Sequence, residues 1–248
     1  MYAISHHISE GISVSCMQTS GSCHREPQQP CEDTVFLHTA DDYLFCGIAD
    51  GQSGAPYGRE GGMACLEAVC DYIRSTGIGN ILNTPFPDEL PCSITKAYRQ
   101  ALLSLAARKE APLQDFSSTL LALAADLRSG RYILLHLGDG CAVSISNSDE
   151  FTIISAPDNG LASHHTWLTA SDNAVSHLRI RFGSLENRKR FLLLSDGATC
   201  FCRGRNIPWR TRELLRQYSQ SQLWEYLVQS TPADDATCIL IDCRNENL

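Results

Sequence analysis

The stretch RFLLLSDGATC, residues 190–200, ends an apolar run abruptly on Asp196 and a glycine. Such an ending is ordinarily a strand that enters a tight turn, because Gly tolerates positive φ and Asp hydrogen-bonds its own backbone. The same pattern closes YLFCGIADG and YILLHLGDG, and two acidic pairs stand directly before other apolar runs. Five predicted strands therefore carry acid at one tip: Asp50, Asp139, Asp196 and the pairs at 32–33 and 234–235.

The distribution of predicted strands and helices favours an α+β fold. Short apolar runs indicate strands at residues 34–40, 42–49, 118–126, 131–138, 141–147, 191–195 and 236–243. Helical spacing indicates helices at residues 59–75, 92–110 and 211–229, and residues 77–91, which contain Pro and Gly, are predicted to form a loop. Several predicted strands follow one another at hairpin distance, which predicts antiparallel sheet with helices packed outside it rather than a βαβ repeat.

Length and composition indicate a globular chain. The 248 residues are 43% hydrophobic and 19% charged, which argues for a sizeable core and against wholesale disorder. Large β-rich folds reach this length as one unit, so a single domain over residues 1–248 is predicted. The net charge of −8 argues against nonspecific nucleic-acid binding. The sequence shows no targeting segment and no run of membrane-spanning length, which predicts a cytoplasmic protein without a membrane partner.

The twelve cysteines indicate buried thiols rather than disulfides or a zinc site. Many lie inside apolar segments, as Cys46, Cys65 and Cys141 do, and free Cys there behaves as a small hydrophobe. The spacing CxxC does not occur, since Cys200 and Cys202 form only CxC.

The acidic tips admit two explanations. A second strand begins directly after Asp139, so a hairpin turn explains that site by itself, whereas the sequences after Asp50 and Asp196 do not form hairpins. Carboxylates that cluster at one rim repel one another unless cations neutralise them, and oxygen ligands favour Mg²⁺ or Mn²⁺. Two such ions that share a water activate it and clamp a phosphoryl group. The alternative, scattered turn acids, stays open because a sequence does not show convergence in space.

The order of short blocks resembles the metal-dependent protein phosphatases of the type 2C family. The blocks are PCEDTVF, GIADGQSGAPYG, FSSTLLAL, LHLGDGCAVSI, LLLSDGAT and ADDATCILI, and they span residues 22–242 in family order. His24, the PCED block at 30–33 and PDNGLASHHTWLTASD at 157–172 are similar to the bacterial branch. The resemblance implies an α/β/β/α sandwich of two antiparallel sheets flanked by helix pairs, with a variable flap at about residues 157–177.

The resemblance also implies a metal centre of Mg²⁺ or Mn²⁺, with two ions and, in many bacterial members, a third. A water that bridges the metals would hydrolyse phosphoserine and phosphothreonine in proteins. The matched positions are Asp33 (first metal acid), Asp50 (bridging acid), Gly51 (main-chain carbonyl), Asp196 and Asp234 (remaining acids of the pair) and Asp139 (third ion).

The chain departs from the family pattern where phosphate is held. Gln28 stands at the usual phosphate-binding Arg, and Gln52 stands where some members carry a proton-donating His. His24 and Arg25 lie just upstream and are the candidates for phosphate capture, with Arg59 as the next choice. Asp235 replaces the Asn that usually follows the last metal acid, which leaves Asp234 and Asp235 open as the ligand.

Two functions follow from the pattern. The first is a protein serine/threonine phosphatase that opposes a cognate kinase. The second is a catalytically weak or inactive relative that binds a partner as a regulatory module. Retention of the metal acids favours the first, and the substitutions at Gln28 and Gln52 favour the second. Hydrolysis of a small phosphoester is a remoter alternative.

Overall fold

The computed structural model describes residues 2–9, 11–22, 31–40, 42–158, 166–198, 220–230 and 232–243. Its described strands are β1 (Tyr2–Ser9), β2 (Ile12–Thr19), β3 (Asp33–Ala40), β4 (Tyr43–Asp50), β5 (Leu120–Asp126), β6 (Arg131–Leu137), β7 (Cys141–Ser146), β8 (Phe151–Ser155), β9 (Arg179–Ser184), β10 (Arg188–Leu194) and β11 (Ala236–Cys243). Its described α-helices are α1 (Gly58–Thr76), α2 (Ile78–Leu82), α3 (Leu90–Lys109), α4 (Ala174–His177) and α5 (Gln220–Gln229).

The chain divides into two compact units. The first comprises residues 1–33, 140–157 and 186–248, and the second comprises residues 34–139 and 158–185. The six-stranded sheet has the order β1-β2-β11-β10-β7-β8, and the five-stranded sheet has the order β3-β4-β5-β6-β9. The predicted α+β class with two antiparallel sheets is therefore confirmed.

The core of the second unit forms between its sheet and the helices α1 and α3. Helix α1 buries Leu66, Val69 and Ile73, and α3 buries its own apolar stripe at helical spacing. These side chains pack with alternate residues of the sheet, such as Ala122. Leu121 and the other intervening residues of β5 are buried as well. Burial of both faces explains why this strand has a continuous apolar run instead of alternating with polar residues.

The first unit has its own core on the six-stranded sheet. Strands β10 and β11 pair antiparallel with Leu192 opposite Leu240, and both side chains are fully buried. Met17 of β2 and Leu223 of α5 join the same cluster. The leucine run of residues 191–194 is thus a central strand of this sheet.

Several sequence predictions need correction. The hairpin predicted at Asp139 is wrong, because β6 and β7 lie in different sheets and do not pair. Gly138 adopts a φ of 118° there, and a Cβ at this position would lie 2.7 Å from Thr119 Cγ2. The predicted loop at 77–91 contains α2 and a short 3-10 helix. The prediction missed β1, β2, β8 and β9, which are short or polar strands with weak apolar signal.

Two further sequence predictions concern helix 211–229 and the membrane. Residues 220–229 form α5, and residues 211–219 lie outside the described part of the chain. Among the described helices, none combines the length and the apolar character that a bilayer crossing requires. The cytoplasmic location stays a prediction.

Candidate metal centre

Asp33 is the most deeply buried of the predicted metal acids. It begins β3 and has no exposed surface. Its Oδ2 accepts a hydrogen bond of 3.0 Å from Ser195 Oγ. Its Oδ1 is buried and accepts no hydrogen bond from any described residue. A buried carboxylate oxygen without a donor is costly, so a ligand for this atom is the simplest way to satisfy it.

Ser195 connects Asp33 to the end of β10. Its Oγ donates to Asp33 and accepts a hydrogen bond of 2.9 Å from the backbone N–H of Thr237. The Ser195 N–H in turn donates to the Thr237 carbonyl at 3.0 Å. Gln18 Nε2 donates to the Asp33 carbonyl at 3.0 Å. The leucine run ends at Ser195, whose hydroxyl forms this network. A 3-10 turn that begins at Asp196 follows directly.

The electrostatics around Asp33 favour a cation. The pKa of the Asp33 carboxyl is raised to about 8, chiefly by burial; the hydroxyl groups of Thr237 and Ser195 act in the opposite direction, and the neighbouring carboxylates of Asp196 and Asp235 contribute to the rise. A divalent ion would reverse this balance, because an adjacent positive charge stabilises the ionised form.

Asp234 and Asp235 have different environments although they are adjacent. Asp235 is 2% exposed, and both of its carboxylate oxygens accept backbone hydrogen bonds, Oδ1 from Gly21 at 2.8 Å and Oδ2 from Glu32 at 2.6 Å. Asp234 is exposed, and its Oδ1 accepts the N–H of Asp235 at 2.8 Å. The surrounding backbone therefore holds Asp235 through both of its carboxylate oxygens, whereas Asp234 is the solvent-exposed acid of the pair.

Cys31 is a neighbour of these acids that sequence reasoning did not single out. It is half-buried, and burial raises the pKa of its thiol well above the ordinary value, with Asp33 and Asp235 raising it further. The thiol is therefore neutral at pH 7 when no cation is bound. Cys92 is free and exposed, and the seven other described cysteines are free and buried, as the prediction of buried thiols expected: Cys16, Cys46, Cys65, Cys70, Cys141, Cys238 and Cys243.

Asp50 and Gly51 lie at the end of β4 in the second unit. The Asp50 N–H donates to Thr119 Oγ1 at 2.9 Å, and the Thr119 N–H donates to the Asp50 carbonyl at 2.8 Å. Gly51 forms a bridge with Ser118. The SST segment that precedes β5 thus fixes the backbone of the Asp-Gly tip.

Asp139 has a side-chain partner in the same unit. Thr166 Oγ1 donates to Asp139 Oδ2 at 2.5 Å. The Gly138 carbonyl beside it accepts the N–H of Asp158 at 3.1 Å. The predicted acid is therefore held by residues from the expected flap region, which no local sequence signal indicated.

The donor set fits a hard divalent cation such as Mg²⁺ or Mn²⁺. In the first unit it offers the carboxylate oxygens of Asp33, Asp196 and Asp234, and one of them, Asp33 Oδ1, is buried without a donor among the described residues. Within the described residues, no group of three or more His, Cys, Asp or Glu side chains is already arranged around one ion.

The structure describes only some of the residues that the sequence analysis considered for phosphate binding. His24, Arg25 and Gln28 lie outside the described residues. Gln52 and Arg59 are both exposed. The role of His24 and Arg25 stays a prediction.

Comparison with solved structures gives the same fold over nearly the whole chain. RsbX in complex with magnesium has a TM-score of 0.66 and 19% identity, over 98% of this chain and 100% of that chain. An arginine-to-lysine variant of a bacterial serine phosphatase has a TM-score of 0.70 and 15% identity, over 95% and 99%. The catalytic domain of the serine/threonine phosphatase PstP with two manganese ions has a TM-score of 0.65 and 16% identity, over 95% and 99%.

Comparison of the sequence locates the family. The search of curated proteins gave no significant match. The profile of the family described as protein phosphatase 2C, in contrast, matches residues 20–240. This match covers the acidic tips from Asp33 to Asp234 in one continuous alignment. The chain belongs to the protein phosphatase 2C family.

Proposed function

We propose that the protein is a metal-dependent phosphatase that hydrolyses phosphoserine and phosphothreonine in proteins. The observation that carries the proposal is the Asp33 carboxylate, which is fully buried, oriented by Ser195 through one oxygen and left without a donor on the other. Burial of a carboxyl beside two other acids is costly and is typical of functional sites, where a cation compensates for it. Membership of the protein phosphatase 2C family names the chemistry.

The residues proposed to hold the metal ions come from the acidic tips. They are Asp33, Asp50, the Gly51 carbonyl, Asp196 and Asp234, with Asp139 for a third ion. When bound, two Mg²⁺ or Mn²⁺ ions supply a nucleophilic water and neutralise charge on the phosphoryl group. The magnesium in the RsbX structure and the two manganese ions in the PstP structure support this choice of ions.

The protein's own groups orient these ligands. Ser195 donates to one Asp33 oxygen and so fixes the carboxylate plane. Thr119 hydrogen-bonds both the N–H and the carbonyl of Asp50. These two bonds fix the backbone from which the Asp50 side chain and the Gly51 carbonyl project. His24 and Arg25 are proposed to bind the phosphate, since an Arg fork or an imidazole N–H can donate to its oxygens.

The substrate class follows from the family. Residues 1–248 are proposed to act as one catalytic domain on a phosphorylated protein, in opposition to a serine/threonine kinase. The segment at 157–177 is proposed to influence substrate choice, because binding residues often lie on variable loops.

A second candidate is a weak or inactive phosphatase that serves as a binding module. Gln28 and Gln52 favour it, because neither side chain can replace the charge of an Arg or the acidity of a His. The metal acids are present in both cases, so metal binding alone does not separate the two candidates.

The test is hydrolysis of p-nitrophenyl phosphate and of a phosphopeptide panel, each with Mn²⁺ and with excess EDTA. We expect turnover with Mn²⁺ that EDTA abolishes and that Asp196→Asn lowers by orders of magnitude. Turnover confined to p-nitrophenyl phosphate would favour a small phosphoester substrate. Metal binding without turnover would favour the binding module, and full activity in EDTA would rule out the mechanism.

A further inference from the structure

The Asp235 carboxylate joins two positions that lie far from it in sequence. It accepts the Gly21 N–H at 2.8 Å and the Glu32 N–H at 2.6 Å, across 214 and 203 residues. Both bonds are charge-assisted, and the carboxylate is nearly excluded from solvent. One of the two donors, Glu32, directly precedes Asp33.

Two glycines bring further backbone against residues 234 and 235. A Cβ on Gly197 would lie 2.0 Å from the Asp235 carbonyl oxygen, and a Cβ on Gly21 would lie 2.3 Å from the Asp234 carbonyl carbon. Real Cβ atoms do not approach backbone this closely, so both positions require Gly. Gly197 directly follows Asp196. The backbone of residues 234–235 therefore packs against the segment that carries Asp196, and the Asp235 side chain reaches the backbone next to Asp33.

We propose that Asp235 is a positioning residue that sets the relative placement of Asp33, Asp196 and Asp234, and that it is not itself a metal ligand. This inference rests on the proposed function, in that it concerns the same metal acids. Its two oxygens are occupied by the N–H groups of Gly21 and Glu32. The contacts fix the backbone at residue 32 and at the 234–235 peptide, against which Gly197 packs.

The replacement of the usual Asn by Asp has a physical reason in this geometry. Two backbone donors point at one side chain, and an ionised carboxylate is acceptor-only at both oxygens. The amide of Asn would present an NH₂ group to one of these N–H donors and leave it unpaired. Loss of a charge-assisted hydrogen bond that leaves a buried N–H without an acceptor lowers the free energy of unfolding more than loss of an ordinary hydrogen bond does.

The experiment compares Asp235→Asn with Asp242→Asn in the full chain. Asp242 is a matched control at the far end of β11, the strand that Asp235 directly precedes, and it accepts a hydrogen bond of 2.5 Å from the buried Arg190. By the strand rise it lies on the order of 20 Å away from Asp235. Both variants remove one carboxylate charge and are expected to lower stability, but only one contacts the ligand-bearing segments.

Two measurements separate positioning from a general structural role. The first is amide hydrogen exchange at Gly21 and Glu32 in metal-free protein, which we expect to accelerate at least tenfold in Asp235→Asn and to stay near wild type in Asp242→Asn. The second is Mn²⁺ binding by calorimetry. Removal of a group that orients metal ligands typically lowers affinity 10–100-fold, so we expect a loss of about tenfold in Asp235→Asn and a change within about twofold in Asp242→Asn.

Asp234→Asn completes the set of variants. We expect it to lose Mn²⁺ affinity with little change in amide exchange, because Asp234 is exposed. Equal Mn²⁺ affinity in Asp235→Asn and Asp242→Asn would overturn the positioning role. Wild-type affinity in Asp234→Asn together with loss in Asp235→Asn would make Asp235 the ligand and overturn the inference as well. Failure of wild type to bind Mn²⁺ at all would instead refute the proposed function and this inference with it.

Discussion

Replacement of Ser195 by Ala is expected to destabilise the metal-free protein and to weaken metal binding. Ser195 Oγ both donates to the Asp33 carboxylate and accepts the Thr237 N–H, at 3.0 Å and 2.9 Å. Thr237 is fully buried, so Ser195→Ala leaves its N–H without this acceptor. An unsatisfied buried donor costs about 1–3 kcal/mol, and the lost bond to Asp33 adds about 1 kcal/mol. The expected loss in the free energy of unfolding is therefore about 2–4 kcal/mol.

Ser144→Ala is the matched control for this substitution. Ser144 lies on β7, in the same sheet, and is as deeply buried as Ser195. Its Oγ has no hydrogen-bond partner among the described residues. Removal of an unpaired buried hydroxyl is therefore expected to leave the free energy of unfolding unchanged or to raise it slightly.

The assay is urea unfolding of wild type and both variants in EDTA, followed by Mn²⁺ titration of the folded proteins. We expect Ser195→Ala to unfold at lower urea concentration and to bind Mn²⁺ about tenfold more weakly, because Asp33 loses the group that orients it. Ser144→Ala should match wild type in both measurements. Equal unfolding and equal Mn²⁺ affinity in the two variants would refute the assigned role of the Ser195 network.

Three further predictions concern the acids, the phosphate and pH. Asp50→Asn and Asp196→Asn should each lower turnover by orders of magnitude while circular dichroism stays that of the folded protein; wild-type rates in either would make that acid an ordinary turn residue. His24→Ala or Arg25→Ala should raise KM for a phosphopeptide in steady-state kinetics without changing the dependence on Mn²⁺. An unchanged KM in both variants would place phosphate capture elsewhere, with Arg59 as the next choice. Burial and the nearby Arg179 lower the pKa of His136 well below 6.5. At lower pH the unfolded chain therefore binds a proton at this residue that the folded state does not, so the free energy of unfolding should fall as pH drops below about 6.5. The fall in the urea midpoint between pH 7.5 and pH 5.5 should be smaller in His136→Gln than in wild type, and an equal fall would contradict the assignment.

The sequence by itself determined the fold class and the positions of the acids. Apolar runs of strand length and helices at periodic spacing are local features, so α1 and α3 were predicted within a few residues of their ends. The acids at strand ends were predicted for the same reason, because an apolar run followed by Asp-Gly is a pattern of consecutive residues. Their order along the chain was enough to indicate the family. Short strands with polar residues, such as β1 and β9, were missed because their apolar signal is weak.

The tertiary structure decided how the acids are held. Asp33 Oδ2 receives its hydrogen bond from Ser195 across 162 residues, and Asp235 receives its two bonds across more than 200. The predicted hairpin at Asp139 failed for the same reason, because closeness along the chain does not determine which strand a strand pairs with. Hydrogen bonds between positions far apart in sequence form only when the whole chain folds, and no local pattern of residues predicts them. The positioning role proposed for Asp235 also depends on the tertiary fold, because only the fold brings the N–H groups of Gly21 and Glu32 to its two oxygens.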